Sequence, residues 1–185
     1  MVSPCSIEAA AEALQQGAVI AYPTEAVYGL GCDPWNPDAV MQLLDLKRRS
    51  VEKGLIVVAA TLDQVEPLIQ PFASDVAARI LPTWPGPVTW LCPVQLKVPR
   101  CLTGNHNTIA IRISAHPTVR ALCQAFSGPI VSTSANISDH APARTLAEVT
   151  AQFHGEIVTV VDGQCGGEER PSMIRDAATG QIIRQ

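Results

Sequence analysis

No lysine or arginine precedes Lys47, and then Lys47, Arg48, Arg49 and Lys53 arrive together. Lysine carries a compact charge and arginine a bidentate fork, a pair suited to holding a phosphate chain. In a chain of formal net charge −4, one basic knot marks either a local anion site or a solvated helix end favoured by its dipole. The pattern is not G-x-x-x-x-G-K-[ST], so these cations do not belong to a P-loop. A second segment, Ser132-Thr133-Ser134-Ala135-Asn136, places hydroxyls and an amide at the end of an apolar run. Such groups bind phosphate oxygens, a metal-bound water or an amino-acid substrate, or else close a turn through their own side-chain hydrogen bonds. A third candidate is Arg112, set in Ile109-Ala110-Ile111-Arg112-Ile113. A cation in so apolar a strand needs either an acidic partner or a cavity with a substrate carboxylate. The fourth is the stretch from Tyr22 to Gly31, with Thr24 and two glycines that permit close backbone approach, read either as a ligand-facing loop or as a tight loop packed by its tyrosines.

These groups need elements to hold them. A helix is expected over residues 6–16, capped by Ser6 and stopped by Gly17, and a short strand over 18–22. Asn36-Pro37-Asp38 opens a second helix to about residue 48, with Val40, Met41, Leu43 and Leu44 on its apolar face. Residues 55–60 read as a buried strand. Thr61-Leu62-Asp63-Gln64 reads as a capping box opening a helix to about residue 69, and Thr145-Leu146-Ala147-Glu148 as another. A helix over 74–81 and strands over 88–93 and 108–114 follow. In the latter strand the isoleucines share one face and Arg112 takes the other. Trp84-Pro85-Gly86-Pro87 reads as a rigid turn with a packed indole. Pro117 begins a helix to about residue 126, and residues 129–132 form a strand running into the turn 133–136. Strands are expected at 157–161, 173–175 and 181–184, with Gly180 turning between the last two. The alternation predicts an α/β fold, and the proline-rich stretch 82–99 and the terminal hairpin predict a mixed sheet.

The 185 residues, 47% hydrophobic and 16% charged, predict one packed domain spanning 1–185. The longest apolar runs are too short to cross a bilayer and the first residues carry no basic n-region, so a cytoplasmic protein is expected. The acidic total argues against a general nucleic-acid coat. The six cysteines form no C-x-x-C pair and the four histidines have no ligand spacing, so a zinc site is not expected. Cys92 and Cys123 read as small hydrophobes. Arg144, Arg170, Arg175 and Arg184 read either as the rim of a basic cleft or as solvated charges.

Five segments together resemble the YrdC/TsaC family of threonylcarbamoyl-AMP synthases: Y-P-T-E-A-V-Y-G-L-G from Tyr22, Lys47-x-Arg49 followed by Lys53-Gly54-Leu55-Ile56, W-P-G-P-V-T from Trp84, the strand around Arg112 with Pro117, and S-T-S-A-N from Ser132. The likeness runs through nearly the whole chain in family order and is that of the short, bacterial form. It implies a single-domain twisted mixed β-sheet flanked by helices, around a concave basic cavity. It also implies a reaction without a covalent enzyme intermediate. The amine of L-threonine captures bicarbonate as a carbamate, the carbamate attacks the α-phosphate of ATP, and magnesium-bound pyrophosphate leaves. A tRNA-modifying threonylcarbamoyl transferase complex takes the product. Nucleotidyl transfer depends on alignment and charge more than on a dedicated base, which accords with the lack of a triad.

By this resemblance Lys47 and Arg49 carry the catalysis, and both join Lys53, Ser134, Asn136 and Arg184 around ATP. Thr24, Arg112, Ser132 and Ser172 face L-threonine, with Arg112 as its carboxylate anchor. Three departures bear on these contacts: Ala26 stands where many relatives have threonine, Ser172 is followed by Met173 rather than threonine, and Lys53-Gly54 replaces Asn-Pro. The rival reading is an RNA-binding or ribosome-maturation factor using the same basic concavity. A carbamoyl-transfer domain of the hydrogenase-maturation type fits less well, because the zinc-ligand cysteine spacing is missing.

Overall fold

Ser6 and Asn36 begin the first two helices by giving side-chain acceptors to otherwise unpaired amides. Ser6 Oγ accepts from Ala9 N at 3.2 Å and opens α1 (Ile7–Gln15). Asn36 Oδ1 accepts from Asp38 N and Ala39 N at 3.1 and 3.2 Å and opens α2 (Pro37–Lys47). This computed structural model describes residues 4–157, 159–168 and 171–185. Its other helices are α3 (Ser74–Ile80), α4 (Arg100–Thr103), α5 (Pro117–Phe126) and α6 (Leu146–Phe153). The strands are β1 (Ile20–Pro23), β2 (Tyr28–Gly31), β3 (Ile56–Ala59), β4 (Val88–Pro93), β5 (Thr108–Ile113), β6 (Ile130–Ser134), β7 (Thr159–Val160), β8 (Met173–Asp176) and β9 (Ile182–Arg184). They form a mixed sheet in the order β7-β1-β2-β6-β3-β5-β4-β8-β9. The pairs β1–β7, β3–β5 and β4–β8 are parallel and the rest antiparallel.

The alternation along each strand sorts side chains between two faces. Val57, Ala59, Ile109, Ile111, Ile113, Trp90 and Val131 belong to the larger core, which takes in Val40, Leu43 and Leu44 of α2. Ile20, Tyr22, Val58 and Ile130 belong to the opposite face, where Ala10 and Leu14 of α1 and Val119, Leu122 and Cys123 of α5 cover them. Each of the valines, leucines and isoleucines contributes roughly 1.5–3 kcal/mol on leaving water. Strand β6 serves two partners. Its residues 130–132 pair with β3 and its residues 133 and 134 with β2. The Ser132–Ser134 stretch therefore stands where the two halves of the sheet meet.

Four expectations are corrected. Residues 28–31 are not loop: β2 pairs with β1 from Ile20↔Gly31 to Pro23↔Tyr28. Likewise β6 runs on through Thr133 and Ser134 instead of turning at 133. Residues 61–69 form successive turns and no α-helix. Pro67 lacks an amide hydrogen and disfavours helical backbone at Glu66. Gln64 accepts from Ala60 N at 2.8 Å, one residue before Thr61, and donates to the Cys123 carbonyl at 2.9 Å, tying the end of β3 to α5. Met41 is exposed rather than on the apolar face of α2. The second capping box holds in half: Thr145 Oγ1 accepts from Glu148 N at 3.2 Å, while Glu148 accepts from Arg144 N at 2.5 Å, one residue early. In the strand expected over 157–161, Val158 lies outside the described residues.

Candidate functional site

The register of the sheet sets out the floor of a cavity of about 390 Å³. Ser132 pairs with Ile56, Ile56 with Ala110, and Ala110 with Leu91, so one row of side chains crosses four strands on one face. All four line the cavity. A second row pairs Thr89 with Ile174 and Ile174 with Arg184. Arg112 pairs with Val58, which α1 and α5 cover, so the cavity shares the face of those helices and begins where their cover stops. Its lip comes from the β1–β2 turn (Thr24, Glu25, Ala26, Val27), from Arg49, Lys53 and Gly54, from Leu102, Thr103 and His106, and from Glu168, Pro171 and Ser172.

Four of the expected cations converge there. Arg49, Lys53, Arg112 and Arg184 all line the cavity, against the carboxylates of Glu25 and Glu168. Arg49 Nη2 donates to the Gly54 carbonyl at 3.1 Å, its buried Nε has no partner among the described residues, and burial lowers its pKa. Arg184 Nη2 donates to the Ser172 carbonyl at 2.9 Å. Although Arg184 is exposed as a residue, crowding of its guanidinium lowers its pKa, first by desolvation and then through Arg112 and Arg49. Three guanidinium groups thus feel one another across one space, which favours an anion between them.

Lys47 departs from its expected place. It is buried and does not line the cavity. Its ammonium donates to the Ser134 carbonyl, to the Asn136 carbonyl at 2.7 Å and to Asn136 Oδ1 at 3.4 Å. The cause lies at the helix end: Arg48 turns left-handed at φ 50°, and the chain at 138 is bound back to the Lys47 carbonyl through Ser138 N at 2.9 Å. Asn136 is likewise not in the lining. Its Oδ1 accepts from Ser134 Oγ at 2.5 Å and its amide donates to the Ile137 and His140 carbonyls at 2.9 and 3.0 Å. Of the S-T-S-A-N residues, Ser132, Thr133 and Ser134 reach the cavity. Thr24 also lines it, with its hydroxyl donating to the Val27 carbonyl at 2.7 Å, and Ser172 Oγ lies 2.9 Å from Thr89 Oγ1. Arg175 is on the other face, stacked 4.9 Å over the Trp90 ring, and Arg144 is not in the lining. Arg170 lies outside the described residues.

Arg112 meets both alternatives left open by its sequence context. It lines the cavity, and its Nη1 lies 3.1 Å from Glu25 Oε2. Ser114 Oγ donates to Glu25 Oε1 at 2.6 Å and accepts from His116 N at 3.1 Å. Glu25 was present in the motif from Tyr22 but carried no assigned role. Only the crossing of the β1–β2 turn over β5 brings it to Arg112, and the nearest sequence signal was the need of Arg112 for an acid. An anion-lined ligand, a phosphate chain or a carboxylate, fits a pocket of this charge, and the apolar floor of Ile56, Leu91, Ala110 and Ile174 suits a flat or aliphatic group beside it. No group of three or more His, Cys, Asp or Glu side chains among the described residues could hold a metal ion.

Comparisons with known proteins give the family. A family model named Sua5/YciO/YrdC and described as telomere recombination matches residues 12–185. A protein of Coxiella burnetii named threonylcarbamoyl-AMP synthase is 50% identical over 179 residues, 97% of this chain and 96% of the relative. One of the same name from Pseudomonas putida is 50% identical over 184 residues, 100% of this chain and 99% of the relative. The crystal structure of P. abyssi Sua5 complexed with L-threonine superposes with a TM-score of 0.88 at 31% identity, over 95% of this chain and 52% of that one. This chain therefore spans about half the length of that Sua5.

Proposed function

Because the chain belongs to the Sua5/YciO/YrdC family, we propose that it is a threonylcarbamoyl-AMP synthase, joining L-threonine, bicarbonate and ATP into L-threonylcarbamoyl-AMP with release of pyrophosphate. The observation that carries this reading is the convergence of Arg49, Lys53, Arg112 and Arg184 on one cavity whose polar lining includes Thr24, Ser132, Ser134 and Ser172. Adenylyl transfer develops charge on phosphate oxygens, and fixed cations in a sheltered space stabilise it without a proton-transfer base.

In this proposal Arg49, Lys53 and Arg184 hold the triphosphate, while Arg112 and Thr24, with Ser132 and Ser172, hold threonine. Lys47 and Asn136 serve the nucleotide side from behind, by fixing the turn that presents Ser134. Magnesium belongs to the nucleotide. The two carboxylates among the described lining residues do not make a cage, and Mg²⁺ is commonly bound through substrate phosphates with few protein ligands. Bicarbonate is the third substrate, needing only the amine of bound threonine beside it.

The product, a mixed anhydride, is consumed by a tRNA-modifying threonylcarbamoyl transferase complex, and the proposed location is the cytoplasm, where such a complex meets tRNA. No helix of the described residues is long and apolar enough to cross a membrane. The rival role as an RNA-binding factor has less support. The net charge is −4, and the cations gather inside a cavity rather than along a face wide enough for a nucleic-acid backbone. Pyrophosphate release should require L-threonine, bicarbonate and ATP together. Equal release without threonine would refute the synthase reading.

A further inference from the structure

Glu25 is a buried carboxylate in the cavity lining, whereas Glu168 stands exposed at the rim. Its neighbours serve it in part. The Ser114 hydroxyl donates to Oε1 at 2.6 Å, and Arg112 Nη1 lies 3.1 Å from Oε2. That second contact is an ion pair by distance but is not aligned as a hydrogen bond, so Oε2 has no hydrogen-bond donor among the described residues. Arg112 Nε, equally buried, has no acceptor among the described residues. Buried polar atoms nearly always find partners, and those that lack one call for an explanation. Here the two unfilled atoms are opposite in kind, one lacking a donor and the other an acceptor.

A ligand that fills both must bring a cationic donor and an anionic acceptor close together. An α-amino acid zwitterion does so: its ammonium and carboxylate stand one carbon apart, on the scale of the 3.1 Å between Nη1 and Oε2. Both unfilled atoms are sheltered while the pair is closed. The ligand meets them by drawing the two side chains apart, each exchanging one ionic partner for another, so that no buried charge is left alone. The side chains are 9% and 11% exposed, so they meet cavity contents rather than bulk water.

From this geometry we infer that Glu25 is a specificity-determining residue, which takes the ammonium of the amino-acid substrate while Arg112 takes its carboxylate. The pair then selects an α-amino acid over a hydroxy acid of the same shape. This assignment rests on the threonine-activating reading above and identifies the residue that recognises the amine end. The ammonium must lose a proton before its nitrogen can attack bicarbonate, and the carbamate that forms with release of water carries no positive charge, so the attraction to Glu25 goes with it. The contact therefore favours substrate over product.

Calorimetric titration of the full chain with L-threonine and with 2,3-dihydroxybutanoate of matching configuration tests it. The second ligand keeps the carboxylate and replaces the ammonium by hydroxyl. The unaltered protein should bind threonine about tenfold or more tighter, the size of one charge-assisted hydrogen bond. Glu25→Gln keeps an acceptor for Ser114 but loses the charge; it should weaken threonine about tenfold and leave the hydroxy acid within about twofold, so that the preference collapses. Glu25→Asp keeps the carboxylate and should keep the preference. A parallel loss of both ligands in Glu25→Gln would reveal a merely structural residue and overturn the assignment. Equal binding of both ligands by the unaltered protein would overturn it with no variant needed. Failure of the unaltered protein to bind threonine at all, with or without MgATP, would instead bring down the synthase reading and this assignment with it.

Discussion

Lys47 Nζ donates to the Asn136 carbonyl at 2.7 Å from a position only 3% exposed, and so a residue at the end of α2 closes a turn at the end of β6. The same ammonium meets Asn136 Oδ1 and the Ser134 carbonyl, which engages all three of its donors. The basic knot at residues 47–53 therefore divides its labour: Lys47 holds the chain, while Arg49 and Lys53 line the cavity.

Lys47→Met should strand two half-buried carbonyls and cost on the order of 3 kcal/mol in folding. Melting temperature and turnover should fall together, because Ser134 loses its support. Thermal melting beside an ATP titration checks this. A variant that melts like the parent but has lost ATP affinity would mean that Lys47 reaches the nucleotide itself.

Stability should also depend on pH through this residue. Burial, with the charge of Arg49 added, pushes the Lys47 ammonium down from 10.5 to about 8. Between those values the unfolded chain holds a proton that the folded chain has lost, so the free energy of unfolding rises with pH. Measured against Lys47→Met, the parent should gain up to about 3 kcal/mol between pH 8 and 10.5. A difference in stability that stays flat across that window would show that the three oxygen acceptors keep the proton in place.

Arg49→Ala removes a guanidinium that lines the cavity, its buried Nε without a partner among the described residues. Loss of one charge-assisted contact in the transition state should lower kcat/KM for ATP by about 30-fold, on the order of 2 kcal/mol. Melting should change little, since a desolvated charge leaves with the side chain. Pyrophosphate release at varied ATP is the measurement, and an unchanged kcat/KM would refute a phosphate role.

Gly31→Ala should destabilise the fold without touching the cavity. A Cβ at Gly31 would lie 2.6 Å from the Val131 carbonyl oxygen and 2.8 Å from Tyr22 Cε1. Neither neighbour has room to move, because Val131 is in β6 and Tyr22 is fully buried. A loss of roughly 1–3 kcal/mol in denaturant unfolding is expected.

Much of the scaffold was legible in local signals. Ser6 and Asn36 cap their helices because each offers an acceptor to free amides of its own first turn. Pro117 opens α5 and Gly180 turns the terminal hairpin for equally local reasons of backbone geometry. Isoleucine alternation in β5 placed Arg112 opposite the core, since the period of a strand needs no knowledge of its neighbours. The segments that line the cavity were legible as motifs, but the contacts each residue makes were not.

Those contacts were decided by pairings between residues far apart in the chain. Residues 28–31, with two glycines in four positions, carry little strand preference of their own and become β2 through ladders to β1 and β6. Lys47 reads as a solvated charge until residues 134–136 fold over it, 87 and 89 positions away. Glu25 meets Arg112 only when the β1–β2 turn lies across β5. Caps, turns and alternation are short-range and written in consecutive residues. Which charge is buried and which is left facing a ligand depends on desolvation and partnership, and those exist only once the sheet has closed the distance.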